Sequence, residues 1–204
     1  KNLGLKTLID ICGINTQPNI YHMGYVLGPR INAGGRVGKS SHGANLLLNN
    51  NAKEVFKIAS ELDQFNKERQ YLEEDVLNKI SIEANKTQSD PVIILSGKNW
   101  HEGVIGIVAS RLKDKFNKPV IIITVDKNLG KASARSVIGF DIGSIIIAAM
   151  QEKILIKGGG HKMAGGFTID VNNIEKFKEF VLKKFKNKVG NLEKEKSLYL
   201  DSII

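Results

Sequence analysis

A chain of 204 residues with 42% hydrophobic side chains can bury a sizeable core, which excludes disorder of the whole chain. Its single cysteine, Cys12, excludes an intrachain disulfide framework, and apolar runs such as 120–125 and 142–150 fall short of the roughly 20 residues a bilayer-crossing helix needs. The formal charge is +9, and residues 91–204 hold 19 basic against 11 acidic side chains while residues 1–90 hold 11 against 10, so the second half would attract polyanions, nucleic acid first among them.

The chain opens with KNLGLKTLIDICGI, a helix-like pattern with no initiator Met. It lacks the basic, apolar and small-residue order of a secretory leader, so a cytoplasmic protein without a membrane partner is expected, its first residues the trailing edge of something larger. Residues 1–50 are rich in Gly and Asn and read as loops with short helices, the densest loop being GPRINAGGRVGKSSHG over 28–43. Over 53–83 the apolar positions Val55, Ile58, Leu62, Phe65, Leu72, Val76 and Ile80 recur at spacings of three and four. That is one stripe of a long amphipathic helix, with Arg69 standing where an apolar residue would fall. The trio Glu73, Glu74 and Asp75 is expected on the solvated side of this helix. Next come VIILSG, a helical stretch over 104–116 and PVIIITV, a strand, helix, strand unit that implies a parallel pair. A strand KASARSV, a helix near 141–150, the glycine cluster KGGGHKMAGGFTID and a helix over 174–186 complete an α/β domain. The tail from 187 begins polar and ends apolar, as if opening another module.

Four segments carry side chains suited to an anion. In GGGHKMAGGF, residues 158–167, the glycines Gly158, Gly159 and Gly160 would let backbone N–H groups approach a phosphate, with a following helix aimed at it and His161 donating; a tight packing turn is the alternative. On the strand SARS, Ser133 and Arg135 share one face while Ala134 and Ser136 take the other. A hydroxyl beside a guanidinium fork suits phosphate, and an ordinary polar edge strand is the plain reading. Trp100 and His101 precede a helix expected to start near Gly103, where free N–H groups could hold a phosphate and the indole could stack on a base. Trp100 serves as a core anchor in the other reading, and Arg111, two turns on, is either solvated or a further phosphate contact. GPRINAGGR places Arg30, Asn32 and Arg36 in a loop suited to anions or to helix capping. Four scattered histidines and no carboxylate-histidine cluster leave the chain without the ligand set of a metal-dependent phosphoesterase.

Taken in order, GPRINAGGR, a long helix, WHEGVIGIVASRL, SARS and GGGHKMAGG resemble the RecJ branch of the DHH phosphoesterase superfamily. The resemblance covers nearly the whole chain. It implies the C-terminal remnant of a DHH domain over 1–50 and a connecting helix over 51–88. A compact DHH-associated α/β domain with a mixed sheet flanked by helices would follow over 89–187, and the start of an oligonucleotide-binding module over 188–204. It implies a processive 5′ to 3′ exonuclease for single-stranded DNA, used in recombination and repair. Mn²⁺ or Mg²⁺ would be held by a DHH domain missing from this chain and supplied in cis or as a separate chain, with no cofactor in residues 1–204 themselves. On motif match, Arg30, Asn32, Arg111, Ser133, Arg135 and His161 grip the terminal and scissile phosphates. Arg36 and Gly158 to Gly160 add substrate contacts, Trp100 and His101 line the same channel, and His161 and Arg135 stabilise charge on the phosphate oxygens. Two other readings stay open: a small-substrate relative of the oligoribonuclease or cyclic-dinucleotide type, which shares the GGGH loop, and a stand-alone nucleic-acid-binding module like the appendage of alanyl-tRNA synthetases.

Overall fold

A computed structural model describes residues 2–188; the module expected over 188–204 lies, but for its first residue, outside them. Four helices come first: α1 (Leu3–Ile11), α2 (Gly28–Val37), α3 (His42–Leu48) and α4 (Ala52–Lys86). Asn2 caps α1 by accepting from the Leu5 amide, and Asn51 caps α4 by accepting from the amides of Lys53 and Glu54. Leu8, Leu27, Leu46, Val55, Ala59 and Leu62 are buried together between these helices.

The segment expected as a loop over 28–43 is largely helical, which corrects the placing of Arg30, Asn32 and Arg36. Helix α2 grows directly out of a π-helical turn, His22–Leu27. Pro29 explains the widened turn, because proline lacks the amide an α-helix needs and its ring crowds the carbonyl four residues back. The glycines that signalled a loop instead serve close helix packing. A Cβ on Gly34 would lie 2.7 Å from the Lys39 carbonyl oxygen and 3.2 Å from Leu62, and one on Gly38 would overlap the Phe65 ring.

Helix α4 has 35 residues, about 52 Å at 1.5 Å per residue. Its first half packs on the helical core, while Val76, Ile80 and Ala84 belong to a second core with the sheet. Arg69 interrupts the stripe and is buried, donating to Asn66 Oδ1 at 2.8 Å and Glu73 Oε2 at 2.7 Å. Glu73 is therefore not on the solvated face; it is 1% exposed and paired. An apolar stripe accepts two such residues only because each neutralises the other.

The second half forms a five-stranded mixed sheet: β1 (Ile93–Lys98), β2 (Val120–Asp126), β3 (Leu129–Arg135), β4 (Lys157–His161) and β5 (Ala164–Asp170), in the order β1-β2-β3-β5-β4. β1 and β2 are parallel, joined through α5 (Glu102–Phe116), and the remaining pairs are antiparallel. Alternate residues of each strand go to opposite layers. Ile93, Leu95, Val120 and Ile122 pack under α5, whereas Ile121, Ile123, Ala134, Phe167 and Ile169 pack with α6 (Ile142–Gln151) and α7 (Ile174–Lys188). The GGGH segment is edge strand β4, hairpinned to β5, and not a loop leading into a helix. None of the helices among the described residues is long and apolar enough to cross a membrane.

Arg30 ties α2 to α4. Its Nε donates to Asp63 Oδ1 at 2.8 Å and its Nη1 to the Val26 carbonyl at 2.8 Å. Burial alone would raise the Asp63 carboxyl, but hydrogen bonds from Lys67 and Arg30 outweigh it and hold the pKa below the usual carboxylate value. A carboxyl depressed in the folded state stabilises above its unfolded pKa, about 3.9, and loses that contribution as pH falls through the folded value. Denaturant titration of Asp63→Asn is thus expected to show a loss of about 2 kcal/mol at pH 7, with the gap to the parent closing below about pH 4. A gap independent of pH contradicts the pairing.

Candidate nucleic-acid interface

Helix α5 covers β1 and β2 and reaches β3 at Gly106, where a Cβ would come within 3.0 Å of both Ser133 Oγ and Arg135 Nη2. Beyond that line the same face of β3, β5 and β4 is open, and around Lys131, Ser133, Gly159, Gly166, Thr168 and Lys157 it forms a groove of about 610 Å³ walled on one side by Glu102 and Ile105, with Arg135 and His161 on the face past its end. Register defines which residues this face presents, since residues directly opposite in antiparallel strands point the same way. Arg135 is opposite Ala164, and Ala164 opposite His161; Ser133 is opposite Gly166, and Gly166 opposite Gly159; Lys131 is opposite Thr168, and Thr168 opposite Lys157. The face is thus a grid of three rows: Arg135 and His161 flank Ala164, Lys131 and Lys157 flank Thr168, and in the row between them Ser133 is followed by two glycines. Arg135 and His161 share this face, two strands apart, about 10 Å at the usual strand spacing.

Each end residue of the first row is oriented by its own bonds. Arg135 Nη1 donates to Ser133 Oγ at 3.0 Å and to the Ala134 carbonyl at 2.8 Å. Burial, and secondarily the Arg36 guanidinium, press its pKa down, a sign of converging positive charge. His161 is exposed, and its Nδ1 accepts from the Met163 amide at 3.3 Å, so in the neutral ring Nε2 carries the hydrogen. It can donate to an anion lying on this face of the sheet.

Beside the groove is a second recess lined by Arg36, Trp100, His101, Glu102 and Gly103. Arg36 Nη1 donates to the Gly103 carbonyl at 3.3 Å, bringing the end of α2 against the start of α5. The expectations for this region need correcting. Trp100 is only 8% exposed, its ring lying on Gly97, so it anchors the core and presents no face for a base. His101 caps α5, its Nδ1 accepting from the Gly103 amide at 3.1 Å, and that amide is therefore not free for phosphate.

The other arginines divide. Arg30 is committed to Asp63, and Arg111, though exposed, pairs through Nε with Glu73 and fastens α5 to α4. Asn32 and Arg36 are exposed on α2, with only Arg36 reaching the groove region. Among the described residues no three His, Cys, Asp or Glu side chains gather as metal ligands, so the donors present do not fit a divalent centre.

The DHHA1 domain family matches residues 89–187. The single-stranded-DNA-specific exonuclease RecJ of Bacillus subtilis is 35% identical over 176 residues, covering 84% of this chain and 22% of that protein. RecJ of Thermus thermophilus, in crystal structures with Mg²⁺ and with Mn²⁺, superposes with a TM-score of 0.79 in both cases. Identity is 31% and 30%, over 91% of this chain and 28% and 27% of theirs. The chain belongs to the RecJ family. It spans less than a third of the length of these RecJ relatives.

The glycines of the β4–β5 hairpin separate by face. A Cβ on Gly158 would sit 2.7 Å from that of Phe167 and 3.0 Å from Ile146 of α6, and one on Gly165 would overlap Ile146. These glycines let α6 lie on the strands. A Cβ on Gly159, pointing into the groove, would meet nothing within 4 Å. Missed from sequence were Lys131, Thr168 and Lys157, which share the groove face by the same alternation that paired Ser133 with Arg135, and Glu102 on its wall.

Two substitutions should therefore part company in a thermal or denaturant melt. Gly165→Ala is expected to cost about 1–3 kcal/mol through overpacking, whereas Gly159→Ala folds at least as stably as the parent, since it relieves a strand glycine. Equal losses at both positions contradict the two-faced assignment.

Proposed function

We propose that this chain is the strand-gripping part of a RecJ-type 5′ to 3′ exonuclease for single-stranded DNA, acting in recombination and repair beside a metal centre held by a DHH domain. The observation that carries this reading is the row Arg135, Ala164, His161: a forked guanidinium and an imidazole N–H converge on one open face with a side-chain-poor floor beside them. Such a surface takes a phosphate backbone without selecting a base, because its donors address oxygens and not base edges. Arg135, fixed by Ser133, offers its remaining N–H groups as a planar fork, and His161 Nε2 donates from the opposite side. Arg36, at the end of α2, adds charge from beyond the groove rim.

In the assembled enzyme a divalent metal in the DHH domain would supply the activated water. The residues of this chain would hold the phosphate still and stabilise negative charge as it grows on the phosphate oxygens. Removing one preorganised donor of that kind commonly costs about 10² to 10³ in rate. The B. subtilis relative is a single-stranded-DNA-specific exonuclease and the T. thermophilus structures hold Mg²⁺ and Mn²⁺, both of which support the same reading.

Fluorescence anisotropy of a labelled oligo-dT against the chain, repeated over a salt series, tests the grip. The parent should bind with affinity falling as salt rises, and Arg135→Ala and His161→Ala should bind more weakly. For Arg135→Ala the slope of log K against log salt should become shallower by about 0.7, because one phosphate is no longer neutralised. Parent-like binding by both variants would remove these residues from the interface, and a dinucleotide that binds as tightly as the longer strand would favour the small-substrate reading.

A further inference from the structure

We infer that Lys131 and Lys157, in the groove on the same sheet face as Arg135 and His161, form a second phosphate subsite, and that Glu102 is its resident competitor, an ion-pair latch that an incoming phosphate displaces. This rests on the proposed grip on a single strand and extends it along the groove.

The register puts Lys131 and Lys157 at the two ends of one row, with Thr168 between them. Four residues along the strands separate this row from that of Arg135 and His161, about 13 Å at 3.3 Å per residue. That spacing suits two phosphates of one strand, one at each row. The intervening row is Ser133, Gly166 and Gly159, where the strand can lie against backbone. Both lysines are exposed, and their flexible stems let the ammonium groups close on one anion from opposite sides.

Glu102 is the only acidic side chain lining this groove among the described residues. Its Oε1 lies 2.5 Å from Lys131 Nζ, with the two side chains 56% and 53% exposed. It also borders the second recess, beside Arg36 and His101. A carboxylate at that junction occupies the ammonium a phosphate would use and repels any phosphate that approaches. Glu102 also stands in the first turn of α5, where a negative charge suits the helix dipole; that role accounts for helix stability but not for the partner it holds across the groove wall. An ion pair this exposed is weak, so it sets a low barrier that phosphate can overcome, as a strand that must slide through the groove requires.

The test uses the same oligo-dT titration on the whole chain. Glu102→Gln should tighten binding by up to about fivefold, the scale of one exposed ion pair, and steepen the salt dependence. Lys131→Met should weaken binding, and in that background Glu102→Gln should recover less than it gains in the parent. Lys157→Met, which disturbs no ion pair among the described residues, should weaken binding and flatten the salt slope by about 0.7. If the parent binds but Glu102→Gln binds no tighter, the latch is overturned while the grip by Arg135 and His161 stands. If Lys157→Met binds like the parent, the subsite is overturned; a parent that does not bind oligo-dT overturns the grip and the subsite together.

Discussion

The absence of a Cβ at Gly158 and Gly165, on the α6 side of the β4–β5 hairpin, is the constraint from which the rest of the site follows. Helix α6 lies against these strands through Ile146, in space that side chains at Gly158 and Gly165 would fill. From the other side Gly143 of α6 comes so near the His161 backbone that a Cβ there would stand 3.0 Å from it. With α6 and α7 closing that layer, the hairpin needs no cover on its second face to be stable, and α5 extends only as far as β3. What is left is a sheet surface with glycine in the middle and donors at the rim. The groove is thus a by-product of where the helices end, and its chemistry comes from strand alternation.

A second device fixes the height of the groove wall. Glu73 of α4 takes Arg69 from its own helix and Arg111 from α5, so one buried carboxylate between two guanidinium groups joins the long helix to the helix over the sheet. Burial, opposed by the neighbouring Glu73, lowers the Arg69 pKa, and the positive charges of Arg36 and Arg111 add to the effect. Arg36 and Arg111 thus stand near Arg69, and Arg36 also acts on Arg135, so four arginines from α2, α4, α5 and β3 surround the junction of the helical unit with the sheet. Two are held by Glu73; Arg36 and Arg135 are left to the open side.

Periodicity carried most of the architecture. The three-four spacing from Val55 to Ile80 gave α4, and the runs around Ile94 and Ile122 gave the parallel pair, because both patterns report burial directly. Two-residue alternation in SARS placed Ser133 and Arg135 on one face; the same rule applied two residues earlier would have added Lys131. Glycine and proline misled twice, at GPRINAGGR and at GGGH, since a glycine needed for close packing and one needed for a turn look alike in a sequence. Charged residues were the least legible. Whether Arg30, Arg111 or Glu73 faces solvent depends on a partner 33, 38 or 4 positions away, and composition is silent on pairing. Trp100 was decided by Gly97 beneath its ring, a contact that spacing alone does not reveal.

A crystal structure of this chain with a short oligo-dT would show where the strand lies. Phosphate oxygens are expected on the open face of β3, β5 and β4, within about 3 Å of the Arg135 guanidinium and His161 Nε2, with the sugar-phosphate chain crossing Gly166 and Gly159. A strand seated elsewhere, for instance on the exposed, stacked Tyr21 and Tyr25 at the start of the π-helical turn, with this face left empty, would contradict the grip by Arg135 and His161.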